Sequence, residues 1–385
     1  MCFRSIVPWM LLTALVTAPL RGEEPTAPTA PRAAEGIGIT LERIGEQKVL
    51  IPSGQHGLVG FPDEGITFLS RKPLSFLLVA GVSTRLMQGN SLATAKPVAE
   101  VIAPSPGGPD NGYAGVSSAI TDPKDGTIRA FYHAEDWEGY DKLGLNGVNN
   151  FLASVCLATC PAGDTKFTKQ GRVITGPDEK DTTSKHPQGI GTASVLKTPG
   201  GKYLLAWFTV YSPAPGRGSE IGMARAPAAS GGRAGSWWKW HEGDFSEPGI
   251  GGRGSPVISF RERKGAAMDA SVVWVPECRA YLMVFTGVIH GDTNPGSDPR
   301  GGIWVACSRE GIAWSEPVRI VKGIGVPCPG RECTMHPSLV VNSATADTVE
   351  ATLLYGHSPS WGLTAEAPSH HLVGRALRLT LTDGE

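Results

Sequence analysis

Along most of this chain, apolar positions alternate with polar ones in short runs broken by glycine, proline and charged residues. A period of two predicts half-buried β-strands, and the breaks predict tight turns. One longer unit recurs. It begins on a polar residue and passes through a small or hydroxyl residue into a β-branched run. It then turns and returns as a strongly apolar strand. The clearest copy is Asp269-Ala-Ser-Val-Val-Trp-Val, a turn, then Ala280-Tyr-Leu-Met-Val-Phe. Gly191-Thr-Ala-Ser-Val-Leu pairs in the same way with Lys202-Tyr-Leu-Leu-Ala-Trp-Phe, and Gly115-Val-Ser-Ser-Ala-Ile with Thr127-Ile-Arg-Ala-Phe-Tyr-His. His336-Pro-Ser-Leu-Val-Val with Glu350-Ala-Thr-Leu-Leu-Tyr, and Asp63-Glu-Gly-Ile-Thr-Phe with Leu74-Ser-Phe-Leu-Leu-Val, complete the set. Each pair reads as a hairpin.

The copies start near 63, 115, 192, 269 and 336, so they are 52, 77, 77 and 67 residues apart. Outer strands follow in most copies: Phe151-Leu-Ala-Ser-Val-Cys-Leu, Glu220-Ile-Gly-Met-Ala-Arg-Ala and Gly302-Ile-Trp-Val-Ala-Cys-Ser. About five four-stranded units predict an all-β, five-bladed β-propeller over residues 39–385, since single blades cannot bury both faces. The last copy supplies only three strands. The segment that begins Ile39-Thr-Leu-Glu-Arg-Ile stands before the first blade without a partner. It is expected to complete the last blade and close the ring. A two-sheet sandwich with excursions is the alternative, and it leaves the repeat unexplained.

Composition agrees with this picture and narrows it. The 385 residues include Gly 50 and Pro 31, with 41% hydrophobic and only 18% charged positions. Apolar content is too high for disorder, and Gly and Pro interrupt every stretch long enough for a helical bundle. The glycines lack a period of three, which excludes collagen. Residues 1–22 read as a signal peptide, with Arg4 ahead of an apolar run over 6–18 and small or polar residues behind it. Residues 23–38 read as a Pro/Ala-rich spacer. A secreted or periplasmic monomer without a membrane span is expected. Removing residues 1–22 leaves 33 basic against 36 acidic groups, a net −3, and no basic run of the kind that binds nucleic acid.

Six cysteines remain beyond the signal: 156, 160, 278, 307, 328 and 333. An even count in an exported protein suggests disulfides. Local spacing favours Cys156–Cys160 and Cys328–Cys333, with Cys278 and Cys307 stapling neighbouring strands. Zinc held by Cys328, Cys333 and His336, or unpaired buried thiols, are the other readings.

At the blade starts the sequence resembles a known group. The pattern Asp-(Ala/Pro)-Ser-Val followed by Tyr-Leu resembles the five-bladed glycoside hydrolases of the arabinanase/xylosidase family 43 and, more distantly, the invertase-type family 32. Cys307-Ser-Arg-Glu-Gly-Ile-Ala-Trp-Ser resembles the Ser-x-Asp-Gly-x-x-Trp turns of such enzymes and of sialidases. The resemblance implies carboxylates at the ring axis: an Asp base in the first blade, an Asp that tunes pKa, and a Glu acid. It also implies an axial fifth-blade His that helps hold a metal ion. The matching positions here are Asp63 with Glu64 beside it, Asp269, and His336. The third-blade start is Thr192, where a carboxylate is expected.

Glycoside cleavage needs two carboxyl groups across the scissile bond, one ionised and one protonated. Asp63, Asp269 and Glu220 are the catalytic candidates. Polar and aromatic groups past the ends of second strands suggest a sugar-binding rim. They are His133, Asp136 and Trp137 in blade two, His290 in blade four, and His357 and Trp361 in blade five. His336 joins them from the strand start. Asp292, Asn294 and Asp298 are oxygen-rich, so calcium is a possible ligand there or, with His336, at the axis; no cofactor is otherwise required. The Trp237-Trp-Lys-Trp240 cluster reads as outer-strand packing.

The leading expectation is a secreted glycoside hydrolase acting on a poly- or oligosaccharide. A propeller-type polysaccharide lyase using His133, His290, His336 and Tyr355, and a non-catalytic sugar-binding propeller, are the alternatives. A sialidase is disfavoured because Arg85, Arg225, Arg253 and Arg375 are scattered rather than grouped.

Overall fold

The computed structural model describes residues 36–140, 150–212, 218–289, 300–323, 332–359 and 370–383. Its strands fall into five consecutive antiparallel meanders. The first comprises β3 (Thr67–Arg71), β4 (Leu74–Ala80), β5 (Ser83–Gly89) and β6 (Lys96–Ile102). Before it come β1 (Ile37–Ile44) and β2 (Lys48–Ile51). The second is β7 (Tyr113–Thr121), β8 (Ile128–Asp136), β9 (Leu152–Cys160) and β10 (Thr168–Thr175). The third is β11 (Gln188–Lys197), β12 (Tyr203–Tyr211) and β13 (Glu220–Pro227), bordered by β14 (Trp238–His241), β15 (Asp244–Pro248) and β16 (Pro256–Ile258). The fourth is β17 (Gly265–Val275), β18 (Ala280–Ile289), β19 (Arg300–Ser308) and β20 (Val318–Lys322). The fifth is β21 (Cys333–Ala344), β22 (Thr348–Ser358) and β23 (His371–Asp383). Strand β1 pairs with β23 from Ile37↔Asp383 to Ile44↔Leu377, so the N-terminal strand completes the last blade. It begins two residues inside the predicted spacer.

Five apolar clusters lie between successive blades. Alternate side chains of one strand serve two of them: Leu77 packs towards blade two with Val116 and Tyr132, while Phe76 and Leu78 pack towards blade five with Leu354 and Leu372. Similar clusters join blades two and three, three and four, and four and five. Five interfaces among five blades make a closed ring, and period-two alternation is what lets each sheet bury both faces. No helix of the described residues is long and apolar enough to cross a membrane.

The repeat's hydroxyl residue has a physical role. Ser118 accepts the Val195 N–H at 3.0 Å, Ser194 accepts the Val272 N–H at 3.0 Å, and Ser338 accepts the Ile66 N–H at 2.7 Å. The first two bonds join the first strands of successive blades, and the last joins blade five to the residue just before β3 of blade one. Ser194→Ala would leave the buried Val272 N–H unsatisfied. A loss of about 1–3 kcal/mol is expected, measured as a lowered urea midpoint at unchanged slope; an unmoved midpoint would show the bridge to be dispensable.

The cysteines correct the disulfide expectation. Cys156, Cys160, Cys278 and Cys307 are free thiols. Cys156 and Cys160 lie four residues apart on the extended strand β9, about 13 Å at the usual strand rise, beyond disulfide reach. Cys278 donates to the Thr345 carbonyl, and Cys307 packs in the core between blades four and five. Cys328 lies outside the described residues, and so do residues 1–22.

Candidate functional site

The first strands of blades three, four and five share a local distortion. Their registers slip at Thr192, Asp269 and His336, and these residues have φ of 40°, 56° and 53°. Side-chain-bearing residues rarely adopt this left-handed conformation, and a bulge that holds it re-aims one side chain. Hydroxyls from the preceding blade brace two of the three. Thr209 accepts the Asp269 N–H at 3.0 Å, and Thr286 accepts the His336 N–H at 3.2 Å. In blades three, four and five the polar residue at the start of the repeat is thus the residue turned out of the sheet.

All five blades then meet in one polar cluster. Glu64, from the segment before β3, lies with Oε1 2.9 Å from His133 Nδ1 of β8. Thr192 of β11 donates its hydroxyl to the same oxygen at 3.1 Å. Asp63 Oδ1 is 3.4 Å from His336 Nε2, and Asp269 Oδ2 is 3.6 Å from His336 Nδ1. Gly191 sits beside this junction because a Cβ there would lie 2.7 Å from the His133 ring. Tyr113 and Tyr211 enclose His133, with ring centroids 5.4 and 5.9 Å away, and Tyr113 donates its hydroxyl to the Asp63 carbonyl at 2.7 Å.

Glu135 completes the cluster. It stands two residues after His133 on β8 and so projects from the same face. Its Oε1 is 3.5 Å from His133 Nε2, and its Oε2 accepts the Trp137 indole N–H at 2.6 Å. Glu64, Glu135, His133, Asp269 and His336 are all buried, whereas the Asp63 side chain is 37% exposed. Asp63 is therefore the carboxylate open to solvent.

Burial and charge set the protonation states. Burial raises the Glu135 carboxyl to about 7, against the opposing pull of His133 and the Trp137 N–H. Burial also lifts Glu64 above the usual carboxylate range. Desolvation alone would depress His133, but its bond to Glu64 and the Glu135 charge outweigh it and raise it. The Glu64–His133 pair thus holds a proton more tightly than its separate groups would. His336 is likewise penalised by burial, yet Asp269 and Asp63 bring it up to about 9, which makes it an imidazolium at neutral pH. Burial and the surrounding carboxylates push the Tyr113 and Tyr211 phenols well above their ordinary value, so both stay protonated.

The structure brings together Asp63, Asp269, His133 and His336 of the expected residues. It places Glu220 differently. That side chain, at the start of the third strand of blade three, is ion-paired with Arg261 and accepts the Ser259 hydroxyl at 2.5 Å. The reason is topological: strand one of each blade lines the axis, and strand three stands two sheet spacings outward. Trp137 contacts the site through Glu135, while Asp136 is tied to Asn111 at 2.6 Å and Lys180 at 2.8 Å. His357 pairs with Glu332 at 2.9 Å and lies 3.2 Å from Gln47, which also accepts the Tyr355 hydroxyl at 2.6 Å. His290, Asp292, Asp298 and Trp361 lie outside the described residues. Among those described, no group of three or more His, Cys, Asp and Glu side chains is arranged to hold a metal ion. Glu135 is the residue that sequence reasoning passed over. Its spacing of two from His133 was the available signal.

No protein-family model matches the sequence, and no curated protein matches it. Solved structures do. An endo-arabinase from Bacteroides thetaiotaomicron superimposes with a TM-score of 0.50 at 10% identity, over 85% of this chain and 96% of that one. An α-L-arabinofuranosidase from Fusarium graminearum gives 0.48 at 10% identity, over 86% and 97%. An N-acetylgalactosamine deacetylase from F. plautii gives 0.47 at 11% identity, over 93% and 94%. At such identities the likeness concerns architecture. The chain is similar in fold, over 85% of its length, to the arabinanase-type propellers of the glycoside hydrolases.

Proposed function

We propose that the protein is an exported carbohydrate-active hydrolase that cleaves glycosidic bonds in a poly- or oligosaccharide. The observation that carries this reading is the meeting of four carboxyl groups from three blades around two buried histidines. Glycosidases need one carboxylic acid and one carboxylate held in different environments. Glu135 is dry and protonated up to about pH 7, and Asp63 is the solvent-facing group. In this reading Glu135 protonates the leaving oxygen as the glycosidic C–O bond breaks. Asp63 acts from the opposite side, as base towards water or as nucleophile. The His336 imidazolium lies between Asp63 and Asp269 and compensates their charge. Glu64, Thr192 and the two tyrosines fix His133, which in turn abuts Glu135.

One observation favours a second reading. His133 is enclosed by Tyr113 and Tyr211, a pairing that suits proton abstraction from a uronate in a lyase. A single assay separates the two. The purified protein is incubated with a panel of plant polysaccharides, including arabinan, arabinoxylan and pectic polymers. New reducing ends without absorbance from unsaturated uronates are expected. Absorbance appearing with each cleavage would replace hydrolase by lyase. Neither signal, with retained polymer binding, would leave a binding protein.

A further inference from the structure

A second concavity lies between blades three and four, with a volume of about 280 Å³. Tyr203, Phe245, Trp274 and Tyr281 wall it, and Thr198, Arg225, Arg309 and Glu310 supply its polar groups, Arg309 being already bonded to Asp383 and to the Cys278 carbonyl. It is remote from the axial cluster. Asp269 and Trp274 are five residues apart on the extended strand β17, about 17 Å at the usual rise. Tyr203 opens strand β12, whereas Tyr211 of the axial cluster closes it. The cavity therefore opens at the opposite ends of the strands, and one sugar chain in the axial mouth does not run straight into it.

Its aromatic walls are the outer edge of the apolar cluster between blades three and four, and charged groups set it apart from the rest of that core. The Arg225 guanidinium lies between two rings, 4.6 Å from the Tyr203 centroid and 4.3 Å from that of Phe245. Among the described residues it has no carboxylate partner, unlike Arg309 nearby, which pairs with Asp383. Stacking between rings pre-orders the guanidinium fork and leaves its N–H edges for another acceptor. Glu310 is exposed at the same cavity, and a carboxylate there disfavours an anion. Aromatic faces for C–H surfaces, with a donor fork and an acceptor for vicinal hydroxyls, suit a neutral sugar. The volume falls just below the usual range for drug-sized ligands, which suits one or two sugar rings.

We infer that this cavity is a second, non-catalytic binding site for a neutral sugar unit, which anchors the polymer that the axial centre cleaves. The inference rests on the hydrolase reading above. Its test is native affinity electrophoresis of the full protein through gels containing soluble arabinan, arabinoxylan or β-glucan. The Glu135→Gln background prevents cleavage during the run. At least one polymer is expected to retard this protein. Trp274→Ala and Arg225→Gln should each weaken the retardation at least five-fold, and Trp274→Phe should keep most of it. In the otherwise wild-type protein, both variants should hydrolyse a tetrasaccharide of the same sugar at the unaltered rate. Retardation by no polymer, or retardation untouched by Arg225→Gln and Trp274→Ala alike, overturns the inference. Melting curves exclude misfolding of the Trp274→Ala protein, and Arg225→Gln keeps the test decisive if that variant unfolds. Failure of the catalytic reading shows separately, as Glu135→Gln cleaving polymer like the wild type.

Discussion

Replacing Glu135 by glutamine is expected to lower kcat/KM on a natural polysaccharide by about 10²–10⁴-fold, the usual contribution of a positioned acid. The amide oxygen still accepts the Trp137 N–H, so the side chain keeps its place. The proton is what disappears. An aryl glycoside with a good leaving group needs little protonation, and its hydrolysis should fall far less. The pH profile gives a second readout. The acid must be protonated, and burial raises it to about 7. Wild-type activity should therefore decline as pH rises through about 7, and Glu135→Gln should lose that limb.

Stability should move the other way. The Glu135 carboxyl has an unfolded value near 4.5 and a folded value of about 7. The folded state binds the extra proton between these values, so stability falls as pH rises from 4.5 and the full cost is present above 7. A difference of this size corresponds to about 3 kcal/mol. Glu135→Gln carries no such cost and should melt higher than the wild type at pH 8. Lost activity with gained stability is the signature of a group kept for chemistry. An inactive variant that also melts lower at pH 8 would instead make Glu135 a structural residue.

Asp63→Asn is the second large effect, again about 10²–10⁴-fold, with a different profile. This carboxylate acts at the anomeric carbon or on water, so aryl glycosides should lose as much as natural substrates. The two variants thus separate by leaving group: Glu135→Gln is partly spared on activated substrates and Asp63→Asn is not. More than a tenth of wild-type activity in Asp63→Asn, on both substrate types, would remove it from the reaction. His336 adds a stability limb of its own. Its folded value of about 9 lies above the ordinary 6.5. Its contribution is therefore complete below 6.5 and is lost as pH rises through about 9.

Much of this was legible in the chain itself. Period-two alternation, turn residues at regular intervals and the recurring polar–small–hydroxyl start determined an all-β ring of repeated hairpins. They also determined the pairing of the N-terminal strand with the last blade, because a short final repeat and an unpartnered first strand complement each other. Asp63, Asp269 and His336 were readable as equivalent positions for the same reason: strand starts in a ring converge. Local rules stop there. The cysteine spacing suggested bridges that the extended geometry of β9 forbids, because spacing counts residues and disulfides need Cβ proximity. Glu220 read as axial, yet the third strand stands away from the axis and Arg261 holds it. Only the tertiary structure decided that Glu135, His133 and Glu64 form one chain of contacts, since those contacts span 71 residues and two blades. It also decided which carboxyl is dry and which is wet, because solvation belongs to the assembled ring and not to any segment of it.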